Sequence, residues 1–227
     1  MTEAERRREA VIARIRLGLG TYDSAARRSA VARRIATPEA PLVPERARRP
    51  ADERRRQLRT FLEGQSATFL EVERAGDVPA AIARFLRSSN LPLRVRVGDD
   101  SYLRSLAWQA EPALERLSGP ARGDDEVGLS HATAAVAETG TLVMASGPDN
   151  PVTLNFLPET HIVVVEEKVL VGGYEGAWER IRARFGRRAM PRTVNFVSGP
   201  SRTADIGGQL VMGAHGPRRL CVILVRD

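Results

Sequence analysis

Cysteine is nearly absent from this chain: among 227 residues there is one, Cys221. A single thiol excludes an internal disulfide framework and fits a reducing compartment. It also excludes a self-contained iron–sulphur cluster of the four-thiolate kind. Lysine is as scarce, Lys168 standing alone among 35 basic side chains. The basic character is therefore an arginine character, which reads as compositional bias rather than selection for phosphate contact. The 3 histidines, His131, His161 and His215, show no HxH or HxxH spacing and give no support for zinc, so no metal site is expected. The GxGxxG, Walker and GxSxG patterns are missing. No apolar run approaches the roughly 20 residues of a membrane span. Arg14 and Arg16 break the apolar stretch near the N-terminus, which argues against a secretory signal. The expectation is a soluble, cytoplasmic protein without a membrane span.

What is present is unevenly spread. Residues 1–60 hold 16 Arg against 8 Asp and Glu, whereas residues 61–227 hold 19 basic and 20 acidic side chains. The N-terminal 1–63 reads as an Arg-rich helical extension and 64–227 as an α/β domain. Apolar residues at helical spacing predict a helix over Glu3 to Leu17, with Gly18 and Gly20 as stops. A second helix is expected from Asp23 to Ile35, a proline-marked connector from Pro38 to Pro50, and a third helix from Asp52 to Glu63. Acids interleave the arginines and no recognised binding motif appears, so nucleic-acid binding is disfavoured. The arm is expected to pack on its own domain or on a partner.

From Ala67 the pattern changes. Strands are predicted at Ala67–Val72, Leu93–Val97, Thr141–Ala145, Val152–Leu157, His161–Val165, Val169–Val171, Thr193–Val197 and Leu220–Val225. Helices are predicted at Val78–Arg87, Ser130–Ala137, Ala177–Phe185 and Ala204–Leu210; Tyr102–Trp108 fits either. Strands alternating with helices point to an α/β sheet with helices on its faces.

The densest stretch runs from Val197 to Pro217. Read as a strand followed by a helix, Ser198, Ser201, Arg202, Thr203 and Asp205 lie at the positive end of a helix dipole, a ready anion site. Ser201 can cap that helix and Asp205 suits its first turn, so capping alone explains both. Arg202 is placed against the dipole and calls for an anionic partner. Glu138 mirrors it in the last turn of a predicted helix, before Thr139, Gly140 and Thr141. The two stretches are expected to face each other across one cleft. His215, in a Gly/Pro turn, is either an exposed turn residue or an acid/base beside that cleft. His161 reads as structural and His131 as isolated.

Three segments then carry a family resemblance: AVAETGTLVMAS at Ala135–Ser146, FLPETHIVVV at Phe156–Val165, and SGPSRTADI with GAHGP between Ser198 and Pro217. Together they resemble the LUD-domain, lactate utilisation protein C family, from about Val127 to the C-terminus. The resemblance implies a Rossmann-like layered sheet of the kind found in the CoA-transferase, ribose-phosphate isomerase and glucosamine-phosphate deaminase superfamily. It implies a part in oxidising L-lactate to pyruvate, with iron–sulphur clusters on partner subunits and no cofactor bound by this chain alone.

Three functions follow as expectations. In the first, the chain binds a small carboxylate through Arg202, or aids assembly, within a lactate-oxidising complex. In the second it is an independent acyl transferase, isomerase or cyclo-ligase-like enzyme, with Glu138 as nucleophile or base. In the third it is a regulatory or scaffold protein that uses its arginine-rich arm. A homo-oligomer is compatible with all three.

Overall fold

The computed structural model describes residues 2–19, 24–37, 41–186 and 189–227. They form two compact units that divide between Leu42 and Val43. The first holds helix α1 (Glu3–Leu19) and helix α2 (Ser24–Ala36). Gly18 does not stop α1, which buries no residue. The expected stop at Gly20, the start of α2 at Asp23 and Pro38 of the connector lie outside the described residues. Among the described residues no helix is long and apolar enough to cross a membrane.

The second unit begins with helix α3 (Ala51–Gly64), whose first-turn Asp52 and Glu53 complement the helix dipole. Leu58 and Leu62, four apart on one face, are fully buried. The expected boundary at 63/64 falls at the end of α3, whereas α3 belongs to the second unit. There follow strand β1 (Thr68–Val72), helix α4 (Val78–Ser88), strand β2 (Arg94–Val97), helix α5 (Ser101–Ser105), strand β3 (Glu115–Ser118) and strand β4 (Val127–His131). Next come strands β5 (Ala134–Val136) and β6 (Thr141–Ala145), helix α6 (Thr153–Phe156), strands β7 (Thr160–Glu166) and β8 (Leu170–Val171), and helix α7 (Tyr174–Phe185). Strands β9 (Val194–Val197), β10 (Arg202–Ile206), β11 (Gln209–Met212) and β12 (Arg219–Val225) complete the chain.

Among the described residues, a 6-stranded sheet has the order β1-β12-β7-β4-β2-β3, and every pairing in it is parallel. Parallel strands covered on both faces read as continuous apolar runs, which is the pattern of HIVVV in β7 and LCVILV in β12. Alternate residues of β12 serve opposite cores. Cys221, Ile223 and Val225 pack with α4, while Leu220, Val222 and Leu224 pack with α3. A second sheet, of order β8-β5-β6-β9, lies over that α3 side. Its outer face carries Ala134, Val136 and Val143 against Ala177 and Ile181 of α7. This is a mixed α/β fold built on a parallel central sheet.

Three expected elements differ. Ser130–Ala137 is not a helix but the end of β4 followed by β5. Its alanines favour a helix intrinsically, but they are fully buried between packed layers, where small side chains let sheets approach. Val152–Leu157 is not a strand; α6 occupies it. Ala204–Leu210 is not a helix. RTADI and QLVM pair as the antiparallel hairpin β10–β11. Gly207 and Gly208, at φ 62° and 72°, form the two-residue turn between them. Two successive positive φ values define the turn type whose twist suits a hairpin.

Candidate functional site

A pocket of about 220 Å³ opens where β7 and β12 begin. His161 and Leu220, paired in register on the two strands, form its floor. One wall is the Phe196–Ser201 segment leaving β9, another is His215–Pro217 entering β12, and the third is Asn155 and Phe156 of α6. Ser201 ties two of these walls together. Its N–H donates to Pro217 O at 2.8 Å and its carbonyl accepts from the Gly213 N–H at 2.7 Å. Its Oγ accepts from the His215 backbone N–H at 3.2 Å. Each bond fixes loop backbone that a polar, glycine-rich sequence leaves undetermined.

The floor holds a buried polar chain. His161 Nε2 lies 3.0 Å from Ser130 Oγ, and Ser130 Oγ donates to Asn155 Oδ1 at 3.3 Å. All three residues are buried. Burial holds the His161 imidazole down at about 3, so it is neutral at pH 7. Asn155 Nδ2 and His161 Nδ1 are buried without a hydrogen-bond partner. Leaving a buried polar atom unpaired costs about 1–3 kcal/mol. Both atoms belong to residues that line the pocket, but each is sealed from solvent beneath its surface.

The structure sorts the expected site residues into three groups. Ser198, Ser201 and His215 line the pocket. Thr139 and Thr141 stand behind it in a hydroxyl network. Thr141 Oγ1 lies 2.7 Å from both Ser198 Oγ and Thr139 Oγ1, and Tyr174 OH lies 3.1 Å from each threonine. Gly140, at φ 65°, turns the chain into β6. Arg202, Thr203 and Asp205 depart onto the hairpin, outside the pocket wall. Thr203 Oγ1 donates to Asp205 Oδ2 at 3.1 Å and accepts from the Asp205 N–H at 3.2 Å. Arg202 is exposed. With a strand in place of the helix there is no dipole for these residues to answer.

Glu138 sits in a short 3-10 turn between β5 and β6 rather than at a helix end, and it is buried. Arg46 Nε lies 3.1 Å from its Oε2, a charge pair off the hydrogen-bond angle. Arg46 was not singled out in the sequence, because nothing local links residue 46 to residue 138. Asn155 carries no signal in the sequence, and Ser130 reads there only as a candidate cap of the helix expected at Ser130–Ala137, where the structure has strand β4. His161 carried a legible signal, as a polar residue heading a run buried on both faces.

A second polar cluster lies beyond the carboxyl ends of β2, β4 and β7. His131 Nδ1 is 3.4 Å from Asp100 Oδ2, and its Nε2 is 3.3 Å from Glu166 Oε1. Tyr102 stacks on the ring with centroids 4.5 Å apart. Burial alone would lower the His131 value, but the two carboxylates outweigh it and raise the pKa above its ordinary value. The added stability is therefore full below about pH 6.5, the unfolded value, and is lost as pH rises through the folded value. The melting-temperature advantage of wild type over His131→Gln should be largest below about pH 6.5 and shrink with rising pH. A difference that grows with pH would contradict the pairing.

Fold and pocket together describe an α/β domain with a small pocket where β7 and β12 begin. Residues 123–225 match the LUD domain. It is 38% identical over 104 residues to the lactate utilization protein C of an Exiguobacterium species, covering 45% of each chain. It is 37% identical over 115 residues to that of Halalkalibacterium halodurans, covering 50% of this chain and 49% of the relative. The matches thus span a little under half of these relatives. Uncharacterized protein NMB1437 of Neisseria meningitidis is 31% identical over 153 residues, 64% of each chain. The crystal structure of a DUF162 family protein from Deinococcus radiodurans shares the fold with a TM-score of 0.59 at 26% identity. That match covers 78% of this chain and 99% of the other.

Proposed function

We propose that this chain is the non-redox member of an L-lactate utilisation system, binding a small carboxylate in the pocket where β7 and β12 begin. Relatives named lactate utilization protein C support the pathway. The observation that carries the binding is the pocket itself, lined by Ser198, Ser201 and His215 together with Phe156, Phe196 and Leu220. Ser201 Oγ accepts from the His215 N–H and keeps its own proton for a ligand oxygen, and Phe156, Phe196 and Leu220 receive an apolar end.

Oxidising L-lactate to pyruvate releases two electrons and two protons. In this proposal iron–sulphur clusters on partner subunits take the electrons, in the cytoplasm. Cys221 is a poor cluster ligand, since it is buried and its thiol is pushed up to about 12 by burial. A 6-stranded parallel sheet covered on both faces supports the Rossmann-like, CoA-transferase-type superfamily reading. Catalysis at Glu138 is less well supported, because Arg46 pairs its carboxylate and it lies outside the pocket wall.

Calorimetric titration with L-lactate and with pyruvate tests the binding. Wild type should bind at least one of them, and Ser201→Ala about tenfold or more weaker through loss of a donor to the ligand. Arg202→Ala should bind as wild type does. The isolated chain should not oxidise lactate. Absence of binding to both acids would overturn the ligand-site reading.

A further inference from the structure

Residues 43–49 lie across Glu138 as a thin strap. The 3-10 turn Glu45–Ala47 is its centre, between Pro44 and the start of α3. Ala47 is the one buried residue of the strap. Its carbonyl rests on Gly172, where a Cβ would overlap it, and its methyl lies 3.2 Å from where a Cβ on Gly173 would stand. Arg46 Nε reaches Glu138 Oε2 at 3.1 Å. Little else holds the strap down. Among the described residues its backbone hydrogen bonds close on the strap itself, Ala47 N–H to Pro44 O and Arg48 N–H to Glu45 O. The exception is Arg46 O, which accepts from Gln57 Nε2 at 3.2 Å. Segments with few buried contacts and no ladder are the ones that open locally.

Glu138 is anchored differently. Its N–H donates to Gly172 O at 3.1 Å, which ties its turn to the end of β8, and Gly140 sits against Phe61 of α3. The acid therefore stays in place when the strap lifts. Its Oε2 is buried without a hydrogen-bond partner, and the cation beside it, Arg46, is more than half exposed. A carboxylate buried for stability alone has its oxygens bonded. We infer that residues 43–49 are a displaceable cover that masks Glu138, an autoinhibitory contact within the chain. Lifting the strap removes the Arg46 partner and brings the carboxylate to solvent. The vacated position suits a guanidinium or ammonium group in place of Arg46. Residues 1–42 run directly into the strap, so a pull on them is a pull on the cover.

Two side chains of the full-length protein provide the test. Cys221, fully buried on β12 in the central sheet, reports opening of the whole unit. Glu138 is labelled with a water-soluble carbodiimide and glycinamide, and Cys221 with a maleimide, both in native buffer. Each rate is divided by the rate in the unfolded chain to give a protection factor. Glu138 should be about a hundredfold or more less protected than Cys221, because local opening costs less than global unfolding. Arg46→Ala should lower the protection of Glu138 about tenfold further, through loss of a contact to a charged group, and leave Cys221 as it was. Arg46→Lys should restore part of that protection. Gly172→Ala, which wedges Ala47 off its seat, should act as Arg46→Ala does. Equal protection of Glu138 and Cys221 would overturn the cover, since the acid would then be reached only when the domain unfolds. Wild-type protection of Glu138 in Arg46→Ala would overturn it too. Neither result bears on the pocket where β7 and β12 begin.

Discussion

Deleting residues 1–63 should abolish cooperative unfolding of the α/β unit, whereas deleting residues 1–42 should leave its thermal transition in place. The two truncations differ by α3. Leu58 and Leu62 of that helix are fully buried with Leu142, Met144, Val163 and Val222, between the two sheets. Truncating a buried leucine costs about 2–5 kcal/mol, and a whole domain is stable by about 5–15 kcal/mol. Losing both leucines removes a large part of that margin. Arg55 and Glu167, 2.9 Å apart and partly buried, would lose their pairing as well. Leu62→Ala should fall between, still cooperative but less stable by the cost of one leucine. Circular dichroism melts of the three proteins decide the matter. A 64–227 fragment melting near the wild-type temperature would show that α3 is dispensable.

Gly128→Ala should damage both stability and ligand binding. A Cβ at this position would lie 2.6 Å from Leu154 O and 3.1 Å from Pro158 Cγ. The first obstacle is backbone and cannot rotate away, so α6 must move. Overpacking of this kind costs about 1–3 kcal/mol, and each kcal/mol lowers the melting temperature by roughly 2–4 °C in a protein of this size. Asn155 follows Leu154 on α6, so the same shift draws its amide away from Ser130. Affinity for the small carboxylate should fall more than stability alone explains. Gly123→Ala is the control, since a Cβ there meets nothing within 4 Å. Equal behaviour of the two variants would remove the role given to the Gly128 contact.

The central sheet was the most legible part of the sequence. The runs at β7 and β12 are too apolar for any place but a doubly covered sheet, and their bounds follow from the polar residues at each end. The hairpin was also legible, because Gly207-Gly208 between two strand-length runs is a turn signal. The preceding Ser-Arg-Thr-Ala-Asp stretch also satisfies helix-start rules, and that competing signal points to a helix where the hairpin forms. The Ala-rich β5 was not legible, since its propensity argues for a helix and only the packing of two sheets overrides it. The site divided along the same line. Ser198, Ser201 and His215 are local to one loop and could be seen. Ser130, Asn155 and His161 meet only because β4, α6 and β7 are neighbours in space, a relation that no local spacing carries.

The bonds from Ser201 to Pro217 and Gly213 close the base of the 201–217 excursion. The 15 residues between Ser201 and Pro217 form a loop whose ends are already pinned. The entropy of closing such a loop grows only with the logarithm of its length. The pocket walls are thereby insulated from the hairpin's length, and the Arg202–Met212 hairpin can be lengthened at little thermodynamic cost while His215–Pro217 and the pocket floor stay put.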